Sequence, residues 1–378
     1  MSKLYNKIAP YLLVSLVVIL STVTLWFPFI TRQTSWFGLL IPESNFQYIY
    51  RNFDGPLYII PAKTLYNPQA IDKIGLEIPL PPNYFAAHLP LYPFLIRFGA
   101  PPLGYLKSMI FISVLFSILL GMFFYKVARR LNLTRHPITL TALFLFLPRF
   151  LVVRSIGAPE TLFLFLVLHS LYFFERRNYL WAGVFGGLAT MTKTPGVLLA
   201  AAYFLVFAER YVKTKKIPWA GLPALLLVPL GLLGVFLIYL RQYGDFFAYF
   251  KSGDNIHLVA PFSVFNFQKI WVGTAWLDDV VFYFFLYGLT VLTLFRSKYR
   301  SFFYFSLTFF ISVLFVQHRD IARYSLPLWP LAVIAFEKFF TSRKFLTIFI
   351  ILLPGFFMYA WNFLVHNILP ISNWAPYL

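Results

Sequence analysis

The chain contains no cysteine in 378 residues. That excludes disulfides, thiol redox chemistry and Cys-ligated metals. Acids are scarce as well: 13 Asp and Glu stand against 32 Lys and Arg, a formal net charge of +19. Charged residues together make up only 12%, about half the share of a soluble domain. No Walker loop, dinucleotide glycine pattern, HExxH or GxSxG occurs in a suitable context. There is no clear internal repeat and no low-complexity tract. The basic residues are scattered over short loops without a continuous basic face, which argues against a nucleic-acid partner. What fills the chain instead is apolar: 60% hydrophobic and 21% aromatic residues.

A bilayer-crossing helix needs roughly 20 apolar residues, and the sequence divides into about eleven such pieces. They fall near 8–30, 104–125, 138–153, 159–174, 179–192, 196–209, 218–240, 277–295, 301–316, 324–340 and 345–367. The expectation is an all-α, multi-pass membrane protein forming one integral domain over 1–378. A long folded outer loop spans about 31–103 and a second about 241–275. The run from Ile8 to Ile30 is too long for a cleavable leader and reads as an uncleaved anchor.

Lys and Arg set the orientation. They are densest in Lys3 and Lys7, Lys126–Arg135, Arg176–Arg177, Arg210–Lys216, Arg296–Arg300 and Lys338–Lys344, which places these segments and the N-terminus inside the cell. The acids then fall mostly outside: Glu43, Asp54, Asp72, Glu77, Glu160, Asp245, Asp254, Asp278, Asp279 and Asp320. Chemistry that needs a carboxylate belongs on that outer face.

Six groups of residues could carry chemistry. Asn52-Phe53-Asp54-Gly55-Pro56 reads either as a turn or N-cap, or as the place of a general base. His88, inside a stiff run of prolines and aromatics at 81–93, is either a satisfied polar residue or a donor to a phosphate or sugar. Glu160 in Pro159-Glu160-Thr161 suits a helix first turn and could also hold a substrate hydroxyl. Lys193, flanked by Thr190, Thr192 and Thr194, either snorkels to lipid headgroups or binds phosphate with its hydroxyl neighbours. His318-Arg319-Asp320-Ile321-Ala322-Arg323-Tyr324 puts two arginines at an outer tip, against the positive-inside bias. A phosphate would explain them; an Arg–Asp320 pair is the structural alternative. Arg319 and Arg323 share a face if this tip is helical. Asp278-Asp279 opens a helix, where acids are commonplace, and has no spaced partners for a metal.

Taken together, these blocks resemble the GT-C class of membrane glycosyltransferases, and within it the prokaryotic relatives of PIG-V-type mannosyltransferases. The matching residues are Phe53-Asp54-Gly55, Leu89-Pro90-Leu91-Tyr92-Pro93, Pro159-Glu160-Thr161-Leu162-Phe163, Gly186-Gly187-Leu188-Ala189-Thr190-Met191-Thr192-Lys193 and Arg323-Tyr324-Ser325-Leu326-Pro327. Two departures are visible: Gly55-Pro56 follow the aspartate where many members carry an acidic or aromatic neighbour, and Lys193 stands where relatives often have Arg. The resemblance implies a GT-C-like bundle, a polyprenyl-phosphate-linked sugar as donor, and catalysis at the external membrane face, with Asp54 as the loop acid. The expected reaction is inverting transfer of a hexose, mannose in the resembled family, to an acceptor hydroxyl. Asp54 would be the base and Arg323, Arg319, Lys193, His318 and His88 the donors to phosphate. Glu160 and Tyr324 would contact substrate; no cofactor is expected, and a metal requirement is left open. The rival readings are a lipid or sugar transporter or flippase, and a lipid-linked oligosaccharide ligase. A transporter should carry mid-membrane ionisable residues and inverted repeats; neither is evident in the sequence.

Overall fold

A computed structural model describes residues 2–42, 45–253, 258–273 and 277–378, with residues 2–7 described by their backbone only. Glu43 and Asp254, placed on the outer side above, lie outside the described residues. Helices make up nearly all of the fold. Among the described residues the only sheet is a hairpin, Ser35–Trp36 against Leu39–Leu40. Its two turn residues, Phe37 and Gly38, both have positive φ, 47° and 81°, as a two-residue hairpin loop requires.

Among the described residues, five helices are long and apolar enough to cross a membrane: Ile8–Ile30, Tyr105–Arg130, Thr194–Thr214, Trp219–Tyr243 and Arg343–His366. The chain is a multi-pass membrane protein. The other six expected spans are shorter or broken. Glu160–Glu175 has 16 residues, which at about 1.5 Å per residue falls short of a hydrocarbon core of about 30 Å. The expected span at 138–153 is two helices, Pro137–Leu145 and Pro148–Val153. Pro148 causes the break: it cannot donate to the ladder and pushes Leu147 to an extended ψ of 126°. The expected 324–340 span is broken in the same way, into Ile321–Tyr324, Leu326–Leu328, Trp329–Ala335 and Glu337–Phe340, with Pro327 in the short 3-10 turn and Pro330 in the first turn of the helix after it. The loop before the second span holds more helix than its sequence suggests, including Leu91–Leu103.

The chain forms two compact units. The first comprises Met1–Phe165, Phe236–Gly253 and Lys338–Leu378; the second comprises Leu166–Val235 and Asp254–Glu337. In the first, Arg154 is completely buried. Its guanidinium donates to Leu145 O (3.1 Å), Thr22 Oγ1 (3.2 Å) and Ser21 Oγ (2.7 Å). Trp26 Nε1 donates to Ser155 O at 2.8 Å. These bonds tie the 154–159 turn to the first helix and make Arg154 a structural staple.

In the second unit, helices Leu198–Thr214 and Arg300–Leu314 pack together and the acids sit at their ends. Glu175 accepts from Ser301 N and Oγ (2.8 and 2.6 Å), and Glu209 from Arg300 Nε (2.7 Å) and Lys213 Nζ (2.6 Å). The glycines of the 186–193 block have a packing reason. A Cβ on Gly187 would lie 2.7 Å from Leu227 O, and one on Gly231 would lie 2.2 Å from Gly187 O. Small residues allow this close approach between membrane helices. Gly231→Leu is therefore expected to force the backbones apart and lower the thermal midpoint, at a cost above the usual ~1–3 kcal/mol of overpacking. Gly234, on the same helix with nothing within 4 Å of its Cβ position, is the control. Gly234→Leu should melt with the wild type; equal melting of both variants would refute the close contact.

Candidate active site

In the first unit, Asp54 sits on a turn that is held from both sides. Asn52 is fully buried and its Nδ2 donates to Leu364 O at 2.7 Å. Residues 51–53 pair with 367–369: Phe53 N donates to Asn367 O (3.2 Å) and Leu369 N to Arg51 O (2.8 Å). Phe53 takes a left-handed φ of 49°, uncommon for an aromatic residue, so the chain turns sharply just before the acid. Asp54 then occupies the N-cap position of the short helix Gly55–Tyr58, with Pro56 in its first turn. Its main-chain O accepts from Leu57 N at 2.9 Å, but its carboxylate makes no cap hydrogen bond. The half-buried side chain therefore does not act as the cap of this helix.

Gly55 explains what the turn packs against. A Cβ there would meet Gly157 O at 2.8 Å, and a Cβ on Gly157 would meet the Met109 side chain at 2.5 Å. The Asp54 turn thus abuts the 155–159 turn, and Glu160 follows directly as the first residue of its helix. Glu160 is 3% exposed. Its turn is fastened by Ser113, whose Oγ is 3.1 Å from both Ala158 O and Ala158 N and whose O accepts from Thr161 Oγ1 at 3.1 Å. Tyr92 OH meets the same Ser113 Oγ at 2.7 Å. The blocks around Asp54, Tyr92 and Glu160, far apart in sequence, are therefore brought into one region of this unit.

His88 is also in this unit, 2% exposed, with its ring 4.6 Å from that of Tyr58, 5.7 Å from Tyr84 and 6.0 Å from Phe85. Its main-chain O accepts from Tyr66 OH at 2.5 Å. Arg149 is a residue the sequence reading passed over. Its guanidinium lies 4.0 Å over the Phe363 ring, and Phe363 packs at 5.3 Å against Phe53, the neighbour of Asp54. The available signal was a cation inside the apolar run 143–153, where a charge calls for a function or a buried partner.

In the second unit the basic turn gathers around Tyr324. The His318 ring is 4.7 Å from Tyr324 edge-on, and Lys193 Nζ lies 5.9 Å from the same ring. Asp320 caps the short helix: its Oδ1 accepts from Arg323 N at 3.2 Å, while Asp320 N donates to His318 Nδ1 at 2.9 Å. Arg323 is 7% exposed. The helix begins only at Ile321, so Arg319 precedes it and is exposed; the two arginines do not share a helical face. The threonines near Lys193 also differ from expectation. Thr190 Oγ1 lies 2.7 Å from Gly187 O and 3.1 Å from Val228 O, and Thr192 Oγ1 donates to Leu188 O at 3.0 Å. Those hydroxyls satisfy helix carbonyls rather than standing ready for an anion.

Other outer acids have structural places. Glu77 accepts from Ser372 Oγ, Ser372 N (2.9 Å) and Asn373 N (3.1 Å), and these bonds hold its carboxyl below the ordinary range. Asp245 pairs with Lys251 Nζ at 2.6 Å. Asp278 and Asp279 fill the first turn of Asp278–Leu294. Among the described residues, no three His, Asp or Glu side chains gather as metal ligands would.

Residues 87–233 match the family model of dolichyl-phosphate-mannose-protein mannosyltransferases. No curated protein matches the chain. Among solved structures, ArnT from Cupriavidus metallidurans bound to undecaprenyl phosphate aligns with a TM-score of 0.56 at 12% identity, covering 93% of this chain and 77% of that one. The archaeal oligosaccharyltransferase AglB from Archaeoglobus fulgidus, in complex with an inhibitory peptide and a dolichol-phosphate, aligns with a TM-score of 0.53 at 14% identity. That alignment covers 98% of this chain and 57% of AglB, so the chain spans little over half the length of that enzyme. The chain has the GT-C glycosyltransferase fold. At such identities the likeness speaks to fold alone. The family match includes His88, Glu160 and Lys193, whereas Asp54 and Arg323 fall outside it. The GT-C resemblance read from the sequence blocks is the one the fold bears out.

Proposed function

We propose that this GT-C protein is an inverting glycosyltransferase that moves a hexose, mannose or a close relative, from a polyprenyl phosphate to an acceptor hydroxyl at the outer membrane face. The observation that carries the reading is Asp54, a carboxylate at a helix start that it does not cap, on a turn fixed by buried side-chain and main-chain bonds. A hydroxyl is a weak nucleophile, and a carboxylate within hydrogen-bond reach can take its proton as the new C–O bond forms. The sugar carbon exchanges its bond to the donor phosphate oxygen for a bond to the acceptor oxygen. The leaving group departs as a polyprenyl phosphate, so no general acid is needed, unlike a glycosidase whose leaving group is an alkoxide. The charge that grows on the phosphate calls for preorganised donors. Arg323, Lys193 and His318 take that role in this reading, with Arg319 at the exposed edge of the same turn. Glu160 and Tyr324 would contact substrate hydroxyls, and the buried ring of His88 would bear on the phosphate or sugar. Support also comes from the two solved relatives of like fold that carry undecaprenyl phosphate and dolichol-phosphate.

The test is turnover of the purified full chain in detergent with a radiolabelled polyprenyl-phosphate hexose and a mixed acceptor-lipid extract. Detergent removes any transport readout, so label moving to an acceptor supports a transferase. Label that moves only from a diphosphate-linked oligosaccharide would favour a ligase, and no transfer from either donor would favour a transporter.

A further inference from the structure

A cavity with basic residues in its wall lies far along the chain's first helix from the Asp54 turn. It measures about 420 Å³, and its lining among the described residues is Tyr11, Lys126, Arg129 and Arg130. The helices that form it, Ser2–Ile30 and Tyr105–Arg130, pack against each other within one unit. They touch closely where a Cβ on Gly121 would meet Val14 Cγ1 at 2.9 Å. About one turn further on, towards Tyr11 and Lys126, the cavity opens. Tyr11 packs edge-on against Tyr125 at 5.2 Å, and Tyr125 OH lies 3.5 Å from Arg129 Nη1. Lys126 Nζ sits 5.6 Å from the Phe123 ring.

Three cations therefore face one cavity, and none of the described residues in its lining is a carboxylate. None of the three takes part in an ion pair among the described residues. Cations in a helix last turn suit the macrodipole, but that needs neither a cavity nor a tyrosine on the opposite wall. Both helices are apolar spans, Ile8–Ile30 and Tyr105–Arg130. Tyr11 lies near the start of one and Arg130 ends the other, so the cavity is at the level of lipid headgroups. Tyrosine is enriched at that level, and basic pockets between membrane helices bind anionic headgroups.

We infer that this cavity holds the phosphate headgroup of an anionic phospholipid, at the membrane surface opposite the end that carries the Asp54 turn. The site is separate from the proposed donor site and does not depend on that reading. The acyl chains would lie along the two apolar helices while the phosphate is met by Lys126, Arg129 and Arg130 and by Tyr11 OH.

Native mass spectrometry of the full chain, titrated with phosphatidylglycerol or with phosphatidylcholine, tests this. The wild type should retain phosphatidylglycerol preferentially. K126Q/R129Q/R130Q should bind it roughly a hundredfold more weakly, about one kcal/mol per basic residue. R176Q/R177Q/K216Q, which removes three exposed cations elsewhere, should bind as the wild type does. Equal retention by all three proteins would overturn the inference. So would inorganic phosphate that competes at the same concentration as the lipid, since the site would then be one for free phosphate. A photoreactive phosphatidylglycerol on the wild type keeps the test open should the triple variant fail to fold. Crosslinks should map to 8–15 and 123–130, and labelling elsewhere would sink the proposal.

Discussion

Asp54→Asn is expected to abolish transfer, by a factor of about 10²–10⁴, while leaving the fold and the bound donor lipid intact. Asparagine has the same shape, and the turn itself is made by main-chain groups: Asp54 O accepts from Leu57 N, and the carboxylate does not cap the helix that follows. The substitution therefore removes the proton acceptor and keeps the main-chain turn. Turnover with a labelled polyprenyl-phosphate hexose would be measured beside lipid retention by mass spectrometry. A variant that turns over near the wild-type rate would strip Asp54 of the base role. The search would then narrow quickly. Glu160, beside the turn that packs on Gly55, would be replaced next, ahead of Glu77, which accepts from Ser372 and Asn373, and Asp320, which accepts from Arg323 N.

Much of this was legible in the sequence because its signals are local. Apolar runs and Lys/Arg clusters marked the segments, and the end of Ile8–Ile30 was read to the residue. What the sequence did not reveal were effects of partners distant in the chain. Asn52 looked like ordinary turn chemistry until Leu364 supplied its acceptor, and nothing near Arg154 in the sequence points to Ser21, Thr22 and Leu145, which accept its hydrogen bonds. Thr190 and Thr192 were read as neighbours of Lys193, yet their hydroxyls turn back to helix carbonyls, the usual local competitor for such groups. Arg319 and Arg323 seemed paired by spacing alone, but Asp320 starts the helix between them. The proline breaks at Pro148 and Pro327 were readable in principle. Their apolar surroundings made the runs look continuous, because hydropathy does not register a missing N–H.

Arg323→Ala should weaken donor use by about 1.5–3 kcal/mol, the worth of a hydrogen bond to a charged group, which is roughly a 10- to 150-fold loss. Arg319→Ala should do less. The physical difference is burial: Arg323 is 7% exposed, where a guanidinium keeps more of its attraction for a phosphate, whereas Arg319 is exposed and its charge is screened by water. Arg323→Lys keeps the charge but loses the planar fork, so it should recover only part of the loss. The helix itself should survive, because Asp320 bonds to the main-chain N of residue 323 whatever the side chain. Single-turnover rates across donor concentrations, with thermal midpoints in parallel, separate the outcomes. A phosphate role predicts a rise in the donor concentration needed, with melting little changed and Arg323 ahead of Arg319. Loss of folding with donor use unchanged in the folded fraction would instead make Arg323 a structural residue and leave Lys193 and His318, grouped on Tyr324, to meet the phosphate.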